Sequence, residues 1–404
     1  MDFFIDPITA ITNWIQSLLS NIGITDSLSQ IILFIIGAGL LSMLPMFLTL
    51  GLIWAERKIL GRIADRIGPN RVGPWGIFQT VADMIKIFTK ELITPARADR
   101  IPYNLAPVLA VAGVLLVWAV VPVSVSVVGV RLNVGVLYLI AVGGFGTLAF
   151  LMAGWGSNNK YSTLAAFRAV AQLISYEVPM TLTLLIPVMF SGSLDVSAIV
   201  ERQNVWYILV SPLAALIFYI TTIAEIGRSP FDLLEADSEL VAGFNTEYSG
   251  LKFGMFYVAD FLHAFTLSMV FVTIFLGGWR GPGSEQYPIL GLVYLLIKTV
   301  VVWFVGVWIR GSMPRIRIDQ MLNFNWKILT PASLALVALT ALLDKLLPAG
   351  GSLVRIIAML ILNGVILVVI NTLISRRQKR KPIRPVVAPQ PYPVQNTDIR
   401  DVTR

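Results

Sequence analysis

Long apolar runs separated by short polar segments set the pattern of the chain. About 20 consecutive apolar residues in a helix cross the hydrocarbon core of a bilayer. Such runs fall near 31–54, 104–125, 136–153, 174–190, 206–226, 253–276, 290–309, 326–343 and 354–374. The third and fourth are short and spotted with glycine or polar residues. The pattern predicts an all-α, polytopic integral membrane protein of about nine transmembrane helices, with long amphipathic loops. Residues 7–20, PITAITNWIQSLLS, are apolar but too short to span, and fit a helix lying in the membrane interface. The N-terminal region has no Lys or Arg and carries Asp2 and Asp6, so no cleavable signal is evident.

The polar segments have patterns of their own. After the first run the sequence continues GLIWAERKILGRIADRIGPNRVGP over 51–74. Here Ile59, Leu60, Ile63 and Ile67 recur at helical spacing opposite Lys58, Arg62, Asp65 and Arg66. The first span therefore continues beyond the membrane as an amphipathic helix, and Gly68-Pro69-Asn70 ends it. GIFQTVADMIKIFTKE predicts a second amphipathic helix, with Asp83, Lys86 and Lys90 on one side. The two lysines suit lipid headgroup contact equally well.

Between the fifth and sixth runs, AEIGRSPFDLLEADSELVAGFNTEYSG holds Glu225, Asp232, Glu235, Asp237, Glu239 and Glu247 against Arg228, with Lys252 just beyond. Like charges this dense repel and raise one another's pKa unless water or arginine relieves them. Glu235 and Glu239 lie one helical turn apart. A solvated acidic loop is the simplest alternative, but Phe231, Leu233, Leu234, Leu240, Val241 and Phe244 are interleaved with the acids. Three carboxylates, Glu177, Glu225 and Asp260, sit inside or at the ends of apolar runs. A charged residue at the bilayer centre costs about 3 kcal/mol on insertion scales, so such groups face a polar cavity or a partner. Either they form a chain of protonatable sites, or they neutralise cations, as Glu177 would with Arg168. Lys298 and His263 carry no assignment.

Composition narrows the chemistry. Only 13% of the 404 residues are charged and the mean hydropathy is +0.78, against about a quarter charged in soluble domains. With no cysteine and His263 as the only histidine, the chain has no ligands for an Fe–S cluster, a thiolate-bound zinc or a bis-His haem. Gly143, Gly144 and Gly146 lie within an apolar run and do not form a nucleotide fingerprint. Any electron carriers would sit on partner proteins. The net charge of +8 does not indicate nucleic acid, because 25 Lys and Arg fall in alternate segments assigned to one side of the membrane and five in the others. By the positive-inside rule the N-terminus faces outward and the long loops face the cytoplasm. The organisation expected is an N-terminal segment 1–30, a membrane core 31–345, an additional C-terminal helix within 346–375 and a basic, proline-rich cytoplasmic tail 376–404.

AERKILGRIADRIGPNRVGPWG, ADMIKIFTKE, SNNKYSTLAAFRAVAQLISYEVP, RSPFDLLEADSELVAGFNTEYSGLKFG and WIRGSMPRIRIDQMLNFNWK, in that order, resemble the subunit-1 family (the bacterial H subunit) of proton-translocating NADH–quinone oxidoreductase, respiratory complex I. The resemblance implies a component of an enzyme complex, placed where the electron-transfer arm meets the membrane arm and forming most of the wall of the quinone chamber. It implies quinone (ubiquinone or menaquinone) as substrate, with FMN and Fe–S clusters on partners. Those partners are the peripheral-arm quinone-site subunits and the antiporter-like membrane subunits, together with membrane lipid, in the bacterial inner membrane. On the same ground Glu56, Arg57, Arg62, Asp83, Arg228, Phe231, Asp232, Glu235, Asp237, Glu239, Arg310 and Arg315 match the chamber and its loops, and Glu177, Glu225, Glu247 and Asp260 match acids that couple it to proton translocation. No metal ligand and no catalytic residue is implied on this chain. Asp237 and Asp260 stand where the family pattern usually has Glu, which keeps the charge and shortens the reach. Two rivals remain: the homologous component of a ferredoxin-, cofactor F420- or hydrogenase-linked complex, disfavoured by RIGPNRVGP, and a stand-alone ion transporter, which would be expected to show internal repeats.

Overall fold

Residues 7–21, 25–234, 237–347 and 353–379 are described in the computed structural model, and every regular element among them is helical. An amphipathic helix α1 (Pro7–Asn21) packs against α2 (Asp26–Ile63). At 1.5 Å per residue the 38 residues of α2 extend roughly 57 Å, well beyond a hydrocarbon core of about 30 Å. The charged stretch noted in the sequence is therefore the projecting end of the first span. The chain then turns through residues 64–78. Gly76 (φ 76°) is required there, because a Cβ would lie 2.3 Å from the Pro69 carbonyl oxygen. The second amphipathic segment follows as α3 (Gln79–Thr89), laid against α2 and the start of the helix that covers the sixth apolar run.

The bundle continues with α4 (Arg100–Trp118), α5 (Gly135–Gly156) and α6 (Lys160–Ser191). Two short helices, α7 (Val196–Glu201) and α8 (Tyr207–Val210), lead to α9 (Pro212–Ile226). A one-turn α10 (Asp237–Leu240) precedes α11 (Gly250–Phe275) and α12 (Pro288–Ser312). α13 (Ile318–Phe324) runs through a π-helical turn, Asn325–Leu329, into α14 (Thr330–Leu346), and α15 (Leu353–Lys379) completes the described part.

Among the described residues, eight helices are long and apolar enough to cross a membrane. The nine runs read from the sequence all become helical, but the fifth is split at Ser211–Pro212. Proline has no N–H and is favoured at the first position of a helix, so the 15-residue α9 starts afresh there and extends only about 22 Å. Its buried N-terminus is capped from elsewhere in the chain. Asn363 of α15 accepts hydrogen bonds through Oδ1 from the Leu213 N–H and the Ser211 hydroxyl, both at 3.2 Å. α6 begins fourteen residues before the apolar run that marks it, because Asn159 caps it, its side chain accepting from the Tyr161 N–H at 3.0 Å.

α11 is the central post: 83% of its apolar window is buried within the chain, against 6% for α2. The largest buried side chains include its own Phe265 and Phe275 and, packed around it, Trp118 of α4 and Phe218 of α9. α2, bare on most of its length, leaves one broad face to lipid or to another subunit. The tail beyond Lys379 and Glu235-Ala236 lie outside the described residues.

Candidate functional site

Where α2 leaves the apolar bundle, two neighbouring residues point to different surroundings, as successive positions on a helix do. Arg57 Nη1 lies 2.5 Å from Asp83 Oδ2 on α3, and its Nη2 donates to the Tyr257 hydroxyl of α11 at 3.4 Å. Gln79 Nε2 also donates to Asp83, at 3.3 Å, and the Lys86 ammonium lies 3.8 Å away. Burial pushes the Asp83 carboxyl up, but the hydrogen bonds of Arg57 and Gln79 and the nearby charges outweigh it and hold the group below its ordinary value.

Glu56, 1% exposed, points the other way, into the bundle. Arg228 Nη1 donates to its Oε2 at 2.8 Å, and Arg310 donates to its Oε1. Arg228 also donates through Nη2 to Asp260 at 3.3 Å and lies over the Phe261 ring, 4.6 Å from its centroid. Burial alone would lower the pKa of this guanidinium, but Asp260 and Glu56 more than offset it, so Arg228 stays charged. The result is a balanced chain, Arg310–Glu56–Arg228–Asp260, joined at α2 to the Arg57–Asp83 pair. It ties α2, α11, α12 and the turn after α9. Glu56 and Arg228, the two buried members, are tolerated only because they are paired and hydrogen-bonded.

Beside this chain is a cavity of about 1550 Å³ between α2, α3 and the first turns of α11. Met43, Met46, Phe47, Leu50 and Ile53 make its wall along the membrane-embedded part of α2. Arg57, Asp83, Tyr257, Arg66, Lys86 and Lys90 supply its polar end. An apolar channel ending in a few oriented polar groups suits an amphipathic small molecule.

The other residues singled out in the sequence are placed as follows. Arg62 is exposed on the last turn of α2 and does not line the cavity. Phe231 is buried against the Tyr176 ring, centroids 5.4 Å apart, and Asp232 follows it, half-buried. Glu235 lies outside the described residues, and so does the side chain of Asp237. Glu239 is exposed and paired with Arg168, whose hydrogen bond and charge, helped by Arg315 and Arg317, hold its carboxyl below the ordinary value. Arg315 is exposed. The Arg168–Glu177 pair considered from sequence is therefore not formed, since Arg168 turns to Glu239. Glu177 on α6 and Glu225 on α9 are within electrostatic reach of each other, and Glu225 Oε2 is buried with no hydrogen-bond partner among the described residues. Glu247 accepts from Asn159 Nδ2 at 2.7 Å. Among the described residues no group of three or more His, Cys, Asp or Glu could hold a metal ion. Sequence reading passed over Tyr257, Gln79 and Gln172. For Tyr257 a signal existed, since it lies three residues before Asp260 on one helix.

The model of the NADH dehydrogenase family matches residues 36–341, which span α2 to α14. The chain belongs to this family. Similar proteins are named as the H subunit of NADH-quinone oxidoreductase. That of Dehalococcoides mccartyi (strain CBDB1) is 45% identical over 289 residues, 72% of this chain and 80% of the relative. That of Anoxybacillus flavithermus is 44% identical over 317 residues, 78% of this chain and 95% of the relative. That of Geobacillus kaustophilus is 44% identical over 331 residues, 81% and 97%. The family match ends before α15, so Asn363 lies outside it.

Proposed function

We propose that the chain is the membrane subunit of a bacterial NADH–quinone oxidoreductase, that the cavity between α2, α3 and α11 receives the quinone, and that the acids behind it couple quinone reduction to proton translocation. The observation that carries this reading is the match between cavity and substrate. A quinone has a long apolar tail and a ring with two carbonyl oxygens that become anionic as electrons arrive. The cavity has a wall of Met, Phe, Leu and Ile and a polar end at Arg57, Asp83 and Tyr257. The names of the relatives support membership of such a complex. The chain has no cysteine to hold an Fe–S cluster; in this reading FMN and Fe–S clusters belong to partner subunits, and quinone is substrate. Partners are the peripheral-arm subunits beside the chamber, the antiporter-like membrane subunits, and lipid. The 25-to-5 division of Lys and Arg supports an outward N-terminus and cytoplasmic loops in the bacterial cell membrane.

The chain's own part is electrostatic. Arg57 is one of several positive charges at the polar end, with Arg66, Lys86 and Lys90, and can turn part of its bonding from Asp83 to an anionic ring oxygen. At an effective dielectric of about 20, a unit charge roughly 8 Å away changes the energy of an ionised group by about 2 kcal/mol. Negative charge in the cavity thus weakens the hold on Arg57 by Asp83, and by repelling Glu56 while attracting Arg228 it loosens their pair. Glu225 and Glu177 lie beyond the turn that carries Arg228.

In the assembled complex, Arg57→Ala should lower quinone reduction by about tenfold to a hundredfold, the loss of a charge-assisted hydrogen bond to a developing anion. Reduction of an artificial acceptor by the peripheral arm should be unchanged. Full quinone reduction in an assembled Arg57→Ala complex would contradict the reading.

A further inference from the structure

Gln172 of α6 is wholly buried, and its two halves are treated unequally. Nε2 donates to two backbone carbonyls, Ala224 at 2.7 Å and Phe231 at 2.9 Å. Oε1 has no donor among the described residues. The assignment of nitrogen and oxygen is fixed by those contacts, since the reverse would set an oxygen against two carbonyl oxygens. A side chain chosen for packing alone would avoid a buried, unmatched acceptor. The amide is kept for its donor side.

The two carbonyls flank a segment that carries both halves of the mechanism. Ala224 immediately precedes Glu225, in the last turn of α9. Phe231 immediately follows Pro230. Between them, Gly227 turns the chain with φ 69° and Arg228 reaches out to Glu56 and Asp260. Other bonds hold the turn from within and from one side: the Gly227 N–H to the Ala224 carbonyl at 3.2 Å, Phe231 N–H to the Arg228 carbonyl at 2.9 Å, and Ile316 N–H to the Pro230 carbonyl at 3.0 Å. Gln172 joins its two ends through one planar group and fixes both to α6, the helix that bears Glu177.

We propose that Gln172 is a positioning residue that ties the Arg228 turn to the Glu225 end of α9, so that a displacement of Arg228 caused by charge in the cavity is passed to Glu225. The proposal rests on the chamber reading above and names the connection between the cavity and the buried acids.

The test uses the complete complex with Gln172→Met and Gln172→Leu. Both place an apolar side chain of similar volume there and offer no donor, so Leu serves as an independent variant if Met impairs folding. Amide hydrogen exchange is measured by mass spectrometry on a peptide covering 224–231, together with kcat and KM for quinone and the rate with an artificial acceptor. Losing two hydrogen bonds should speed exchange in 224–231 by roughly tenfold or more, with peptides from α11 and α12 unchanged. kcat should fall with KM held, because Arg57 and Asp83 are untouched. Unchanged exchange and kcat in both variants, exchange raised across the whole chain, or a change in KM alone would each overturn it. If Arg57→Ala kept full quinone reduction, the chamber reading would fall while the exchange measurement still decided the tie.

Discussion

Arg228 and Glu56 meet at 2.8 Å although 172 residues separate them, with side chains only 9% and 1% exposed. Arg310 reaches the other oxygen of the same carboxylate but is 35% exposed. The two arginines are therefore not equivalent. Arg228→Ala leaves Glu56 and Asp260 short of their buried partner, and breaking a buried pair from one side costs about 3–5 kcal/mol. Arg310→Ala removes the more exposed arginine and leaves Glu56 paired with Arg228, so its cost should be smaller. Complex content on native gels should fall sharply for Arg228→Ala and little for Arg310→Ala. Equal loss in both would contradict the ranking.

Glu177 and Glu225 gain a sharper prediction from the position of Arg168. Because Arg168 pairs with Glu239, replacing Glu177 or Glu225 by Gln strands no arginine, and the Gln variants should assemble normally. Gln retains shape and hydrogen bonding but cannot ionise. Quinone-linked activity and membrane-potential formation in vesicles should therefore be lost in both, with partial recovery in the Asp variants. Normal content with full activity and pumping would remove these acids from the mechanism.

α15 makes a separate claim. At a helix start the first N–H groups have no intrahelical partner, and Asn363 serves the Leu213 N–H in a buried site. Asn363→Leu should destabilise the chain by about 1–2 kcal/mol. The check is the thermal midpoint of the detergent-solubilised complex. A Leu variant as stable as wild type would show that the cap is dispensable.

The membrane spans were legible because an apolar run of bilayer length has few alternatives. The break in the fifth was marked by Ser211-Pro212, but hydropathy averaged across VWYILVSPLAALIFY conceals it. The early start of α6 was hidden because Lys160 to Leu173 mixes polar and apolar residues, and the groups that hold it, such as the Gly243 and Phe244 carbonyls bonded by Ser162, are distant in the chain. Site residues with charge, such as Glu56, Arg57, Asp83 and Arg228, stood out against an apolar background. Their pairing did not, because spacing along the chain cannot rank Glu177, nine residues from Arg168, against Glu239, 71 residues away. The apolar wall was invisible for a different reason: Met43, Met46 and Phe47 are of the same apolar kind as exposed residues elsewhere on α2, such as Phe34 and Leu40, and only the placement of α3 and α11 makes them line a cavity.

The central claim is that quinone occupies this cavity. A photoreactive quinone with its label on the ring, irradiated in the complete complex and mapped by peptide mass spectrometry, tests it directly. Labelling should fall near the polar end, on peptides containing Arg57, Asp83 or Tyr257, and should be competed away by unlabelled quinone. Leu50→Trp, which places a large ring against the apolar wall, should abolish labelling and quinone reduction while artificial-acceptor activity persists. Competed labelling confined to other parts of the complex, or labelling and quinone reduction undiminished by Leu50→Trp, would contradict the account.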